Sequence, residues 1–171
     1  MMARIAYADI QDREIAPEVA RVVKERGRVL KLYEMLLQSP PVASGWLTFL
    51  TAIRQKCDLP GRIRELVIMN VAVLNGAEYE FRAHTPFALE EGYTQAQVRA
   101  LRDGDVDSFD ARERAALAYS ESMTRAIRVP QAIFAEVRQY FNEREMVELT
   151  ATIGAYNMVS RFLEALQVDH D

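Results

Sequence analysis

His84 carries most of the chemical potential of this sequence. It lies in the stretch Glu78-Tyr79-Glu80-Phe81-Arg82-Ala83-His84, which opens a helix directly after a long apolar one. The second histidine, His170, stands in a polar tail. An imidazole accepts a proton near neutral pH and returns it as imidazolium, so histidine chemistry inside the fold must pass through His84. Glu80 lies one turn earlier on the same helical face, where its carboxylate can fix the ring tautomer and stabilise the charged form. Glu65, in the preceding apolar helix, is a second carboxylate candidate. If buried it needs a partner, because an isolated buried carboxylate is costly, and His84 and Arg62 are both candidates for that role.

The same residues admit structural readings. His84 can be a satisfied core or interface residue, and Glu80 with His84 a modest surface pair. Tyr79 and Phe81 can serve packing rather than a substrate cage. Arg82 can be solvated or salt-bridged. Asn157 and Arg161, four residues apart, either clamp a carboxylate or tie the last helix to a neighbour.

The elements that must position these residues read as helices. Gly and Pro fall mostly between apolar periodic segments. Residues 1–12 look irregular. Pro17 sits early in a first helix interrupted by Gly27, and a second helix carrying Val29 to Leu37 stops near Ser39-Pro40-Pro41. Another follows through Trp46 and Ile53 until Asp58-Leu59-Pro60-Gly61. Residues 62–75 form the most apolar helix, as expected of a central one, and Gly76 ends or bends it. The next runs from about 78 to Glu91, before Gly92. Pro86 within it predicts a kink or a boundary close to His84 and leaves the Arg82 carbonyl without its usual helical donor. Thr94-x-x-Gln97, Asp110-x-x-Glu113 and Asn142-x-x-Glu145 have the form of capping boxes, and Pro130 starts one further helix. No connection demands a domain boundary, so residues 1–171 are expected to form a single domain.

Composition narrows the function. The chain has 171 residues and a formal net charge of -4, with arginines interleaved among glutamates. That gives no basic face for nucleic acid. The longest apolar runs, such as Val71-Ala72-Val73-Leu74, are far too short to span a bilayer. The start, Met1 to Tyr7, lacks the apolar core of a secretory signal, and the expected location is the cytoplasm. Cys57 is the only cysteine, which excludes an internal disulfide and a one-chain dithiol cycle. Too few cysteines and histidines are present for a structural zinc site, and no cofactor is expected.

These landmarks resemble the carboxymuconolactone decarboxylase family, which includes the alkylhydroperoxidase D-like proteins. The resemblance rests on Arg62-x-Arg64-Glu65-Leu66, on Asn75-Gly76-Ala77-Glu78-Tyr79-Glu80-Phe81-x-x-His84, on Ala88-Leu89-Glu90-x-Gly92-Tyr93-Thr94, and on Tyr156-Asn157-Met158-Val159-Ser160-Arg161-Phe162. It covers a central module of about residues 40–125, and the C-terminal match extends it over most of the chain. It implies an all-α, alkylhydroperoxidase D-like helical bundle with additional N- and C-terminal helices, assembled as a homo-oligomer: a dimer, trimer or hexamer.

In the thiol-active branch a Cys-x-x-Cys pair precedes the motif histidine, with a glutamate in the preceding helix. The histidine position falls on His84 and the glutamate on Glu65, but the cysteine positions fall on Ala77 and Glu80. That departure argues against thiol peroxidase chemistry. The decarboxylase branch lacks the dithiol and implies cofactor-free loss of carbon dioxide from a small carboxylated lactone or related organic acid. His84, Glu80 and Glu65 are then the candidate catalytic residues, and Arg62, Tyr79, Arg82, Asn157 and Arg161 the candidate substrate contacts. A non-catalytic homo-oligomeric protein, or an isomerase or hydrolase using the same acid/base pair, are the alternatives.

Overall fold

Gly76 stops the central helix and turns the chain back on itself. It adopts the left-handed conformation at φ 66°, which glycine occupies without a Cβ penalty. The amide of Ala77 then bonds back to the carbonyl of Ala72 at 2.8 Å, and a new helix begins at Glu78. The result is a helical hairpin. Glu65 sits roughly three turns before the bend and His84 roughly two turns after it, so antiparallel packing brings the two positions to similar height.

The computed structural model describes residues 3–171; the irregular start expected at Met1 and Met2 lies outside the described residues. Among those described there are nine helices and no strand: α1 Ala16–Arg26, α2 Lys31–Leu36, α3 Pro40–Gln55, α4 Gly61–Asn75, α5 Glu78–Glu90, α6 Gln95–Asp103, α7 Ala111–Ala126, α8 Gln131–Val137 and α9 Glu143–Leu166. The all-α expectation holds, and most breaks fall at the Gly, Pro and capping-box positions that foretold them.

The described chain divides into two compact units, Met1–Lys56 with Phe162–Asp171, and Cys57–Arg161. In the first, α3 packs on α1 and α2, and Trp46 meets Phe162 with ring centroids 5.2 Å apart. Tyr7 donates to Asp169 at 2.9 Å and Arg4 bonds the carbonyl of Leu166, fastening the start of the described chain to its end.

The second unit is built around α4, which packs on α5, α6 and α7. A run from Glu65 to Ala72 is buried without interruption, as the all-round apolar pattern requires. Leu66, Met69 and Ala72 join Phe81, Ala88, Tyr93, Leu101, Phe109 and Leu117 in one core. All three capping boxes are present. Of the two outcomes expected at Pro86, a kink or a helix boundary, the boundary is not seen: α5 continues through it to Glu90. Thr85 donates its hydroxyl to the Phe81 carbonyl at 2.8 Å, a local bond of the kind that accompanies disturbed helical ladders.

Candidate functional site

Glu65 and His84 meet across the α4–α5 hairpin, with Glu65 Oε2 2.6 Å from His84 Nδ1. Both are buried, His84 at 7% exposure and Glu65 at 1%. Burying a carboxylate costs free energy unless it is paired and hydrogen-bonded, and this one is. Its second oxygen, Oε1, accepts from Arg64 Nε at 3.1 Å. Burial pushes the Glu65 carboxyl upward, but the bond and charge of His84 and of Arg64 more than offset it, leaving it below its usual value. Glu65 is therefore held as the anion.

Aromatic rings flank His84. Tyr156 of α9 meets it edge-on with centroids 5.0 Å apart, and Phe87 lies 5.8 Å away on the next turn of α5. A carboxylate at Nδ1 favours the tautomer with the proton on that nitrogen and the lone pair on Nε2. Nε2 is then the atom that can accept a proton or deliver one.

Glu80 is also buried, at 2% exposure, and it receives a hydrogen bond from Ser160 of α9. Ser160 is wholly buried and lies 2.9 Å from the Tyr156 carbonyl as well. Glu80 thus links α5 to α9, on the helical face it shares with His84.

The remaining candidates scatter. Arg62 donates from Nε to Glu113 at 2.7 Å and stacks its guanidinium 3.9 Å from the Tyr93 ring centre. Tyr93 donates to the same oxygen of Glu113 at 2.8 Å, and the other Glu113 oxygen closes the α7 capping box at the Asp110 amide. Arg62 is therefore engaged in tying α4 to α7, not in pairing with Glu65. Arg82 is exposed and pairs with Glu78, which Arg102 also clamps. Asn157 donates to Thr124 of α7 and the Ile153 carbonyl and accepts from Asn75 of α4, and Arg161 donates to its side-chain oxygen at 2.6 Å. Asn157 thereby bonds to α4 and α7, whereas the bonds of Arg161 stay within α9. Tyr79 is half-buried near the start of α5.

Sequence reasoning missed Arg64, Ser160 and Tyr156 as members of the site. Arg64 and Glu65 are adjacent on α4, and adjacent helical residues do not ordinarily face one another. Tyr156 and Ser160 carried a signal in their spacing of four, which puts both on one stripe of α9.

The family model described as the carboxymuconolactone decarboxylase family matches residues 40–122. The uncharacterized protein YdfG of Bacillus subtilis is 30% identical over 106 residues, which cover 60% of this chain and 72% of that protein. Among solved structures, an uncharacterized peroxidase-related protein from Silicibacter sp. TM1040 superposes with a TM-score of 0.84 at 20% identity, covering 98% of this chain and 90% of its own. The debrominase Bmp8, in complex with 2,3,4-tribromopyrrole, superposes at 0.82 with 18% identity, covering 100% of this chain and 93% of its own. At these identities the likeness establishes the alkylhydroperoxidase D-like helical fold and nothing about reaction. The chain belongs to the carboxymuconolactone decarboxylase family, as a member with a single cysteine and no Cys-x-x-Cys pair.

Proposed function

We propose that this protein is a cofactor-independent lyase that removes carbon dioxide from a small carboxylated lactone or a related organic acid. The buried His84–Glu65 pair is the observation that carries the reading. In such a substrate the C–C bond to the carboxylate breaks, and the electron pair passes into the adjacent unsaturated lactone as a dienolate. A proton must then be delivered to carbon. His84 delivers it from Nε2, or stabilises the enolate oxygen, while Glu65 at Nδ1 stabilises the imidazolium. Glu80 supports the same helix face. Tyr79, Arg82 and Arg161 remain candidates for contact with the substrate acid group, and Arg62 only if it leaves Glu113. The reading takes residues 1–171 as one functional domain, homo-oligomeric and cytoplasmic. Among the described residues no helix is long and apolar enough to cross a membrane.

The burial of His84 between Tyr156 and Phe87 favours a second reading, in which the pair is a satisfied structural bond in a non-catalytic homo-oligomer. Carbon dioxide release from 4-carboxymuconolactone, generated in situ, separates the two. The lyase reading expects release by wild type that falls by about 10²–10⁴-fold in a still-folded His84→Gln variant. No release above the uncatalysed rate removes this substrate. A His84→Gln variant with lowered stability and unchanged turnover would make the pair a structural bond and place the decarboxylation chemistry on other residues.

A further inference from the structure

Four charged or ionisable side chains form a chain in the second unit, His84, Glu65, Arg64 and Glu91, the last three increasingly exposed. Glu65 divides its oxygens, Oε2 to His84 Nδ1 at 2.6 Å and Oε1 to Arg64 Nε at 3.1 Å. The far end of Arg64, Nη2, lies 3.5 Å from Glu91 Oε1. Side-chain exposure is 2% at Glu65, 17% at Arg64 and 37% at Glu91. Neighbouring residues on a helix do not face each other, so the Arg64 side chain must fold back around α4 to reach Glu65. Gly61 makes room for the outer end, since a Cβ there would collide with the Glu91 carboxylate. That position in the first turn of α4 also suits a negative charge.

We infer that Arg64 is a positioning residue that tunes how tightly His84 holds its proton, by sharing the Glu65 carboxylate, and that Glu91 modulates Arg64 from the surface. An unshared Glu65 would direct its full charge at the imidazolium and oppose proton release. Arg64 withdraws part of that charge, and Glu91 in turn weakens Arg64. Against His84 lie Glu65 of α4, with Arg64 bonded one step beyond it, Phe87 of its own helix and Tyr156 of α9; Glu80 is buried one turn earlier on the same helical face. Arg64 and Glu91 are the members of the chain near enough to the surface to alter without opening the core. The role in catalysis rests on the proposed acid/base function; the titration behaviour does not.

The test is an NMR titration of the His84 ring in the full chain, with His170→Gln used to assign the only other imidazole. Removing a nearby positive charge favours the imidazolium, so Arg64→Gln moves the His84 midpoint up by about one pH unit. Removing a negative charge does the reverse, so Glu91→Gln moves it down by less. Arg64→Lys keeps the charge and stays closer to wild type than Arg64→Gln does. An Arg64→Gln midpoint that is unmoved or lowered overturns the inference, as does an Arg64→Lys shift as large as that of Arg64→Gln. If Arg64→Gln does not fold, Glu91→Gln decides: a lowered midpoint supports the inference, and one that is unmoved or raised overturns it. Absence of carbon dioxide release would remove the tested lactone as substrate while leaving these shifts readable.

Discussion

Nδ1 of His84 lies 2.6 Å from Oε2 of Glu65, on the neighbouring helix and nineteen residues earlier in the chain. The bond joins the two arms of the α4–α5 hairpin at a place where both partners are shielded from water. It performs two tasks together. It satisfies a carboxylate that would otherwise be costly to bury, and it fixes which ring nitrogen holds the lone pair. Replacing Glu65 with Gln keeps the shape and removes the charge. Breaking a buried pair in this way costs on the order of 3–5 kcal/mol, and it should also lower turnover. Chemical denaturation at pH 7 alongside carbon dioxide release measures both effects; a Glu65→Gln protein as stable and as active as wild type would show that the pair contributes to neither.

The Glu65 carboxyl is lowered in the folded protein, which fixes the sign of one pH effect. A depressed carboxylate contributes stability that is fully present above its unfolded value, near 4.5, and is lost as pH falls through the folded value. The stabilising contribution of the Glu65 charge, read as the difference between wild type and Glu65→Gln, should therefore be lost progressively as pH falls below that unfolded value. Urea denaturation curves across that range check it. A gap that widens as pH falls below 4.5 contradicts the assignment.

Ser160 should matter for stability out of proportion to its size. Its hydroxyl is wholly buried and bonds the buried Glu80 of the neighbouring helix. Ser160→Ala strips that bond from a buried carboxylate and should cost about 1–3 kcal/mol. Ser160→Thr, which keeps a hydroxyl, should lose less if its extra methyl is tolerated. Thermal melts of both variants, read beside carbon dioxide release, distinguish a bond that holds α5 to α9 from one that only fills space.

Arg62, Tyr93 and Glu113 form a linkage whose expected signature is structural. Tyr93 resists ionisation because it is buried and bonded to the Glu113 carboxylate, with Arg62 opposing in part. Tyr93→Phe deletes a hydrogen bond to a charged group and should cost about 1–3 kcal/mol while leaving KM within roughly twofold of wild type. Arg62→Met should destabilise further, because Glu113 loses its cation. An increase in KM of about tenfold or more in Arg62→Met, without loss of fold, would return Arg62 to substrate binding.

Cys57 should be a poor nucleophile. Burial raises its thiol, and the nearby Glu148 carboxylate adds to that, against partial opposition from Arg144 and Arg64. The thiolate is the reactive form, so iodoacetamide should label Cys57 more slowly than an unstructured cysteine peptide at pH 7. Cys57→Ser should leave carbon dioxide release unchanged. Rapid labelling together with peroxide consumption that disappears in Cys57→Ser would instead reveal a one-cysteine redox activity.

The sequence by itself determined the helices, their caps and the chemical types available to the site. Gly76 and Gly92, the capping boxes and the all-round apolar pattern of α4 act over a few residues, and local backbone geometry reads them directly. His84 stood out because the only other imidazole lay in a polar tail, and the landmarks around it carried the family. Partner choice needed the tertiary structure. Glu80 and Glu65 were both credible partners for the ring, one by helical spacing and one by a position across a bend, and His84 Nδ1 meets Glu65. Arg62, Arg82 and Asn157 engage Glu113, Glu78 and Asn75, while Arg64 takes the place beside Glu65. The physical reason is range. A helix's own residues fix its hydrogen bonds, whereas the partner of a long charged side chain depends on how neighbouring helices are rotated and offset, which packing of the whole unit decides.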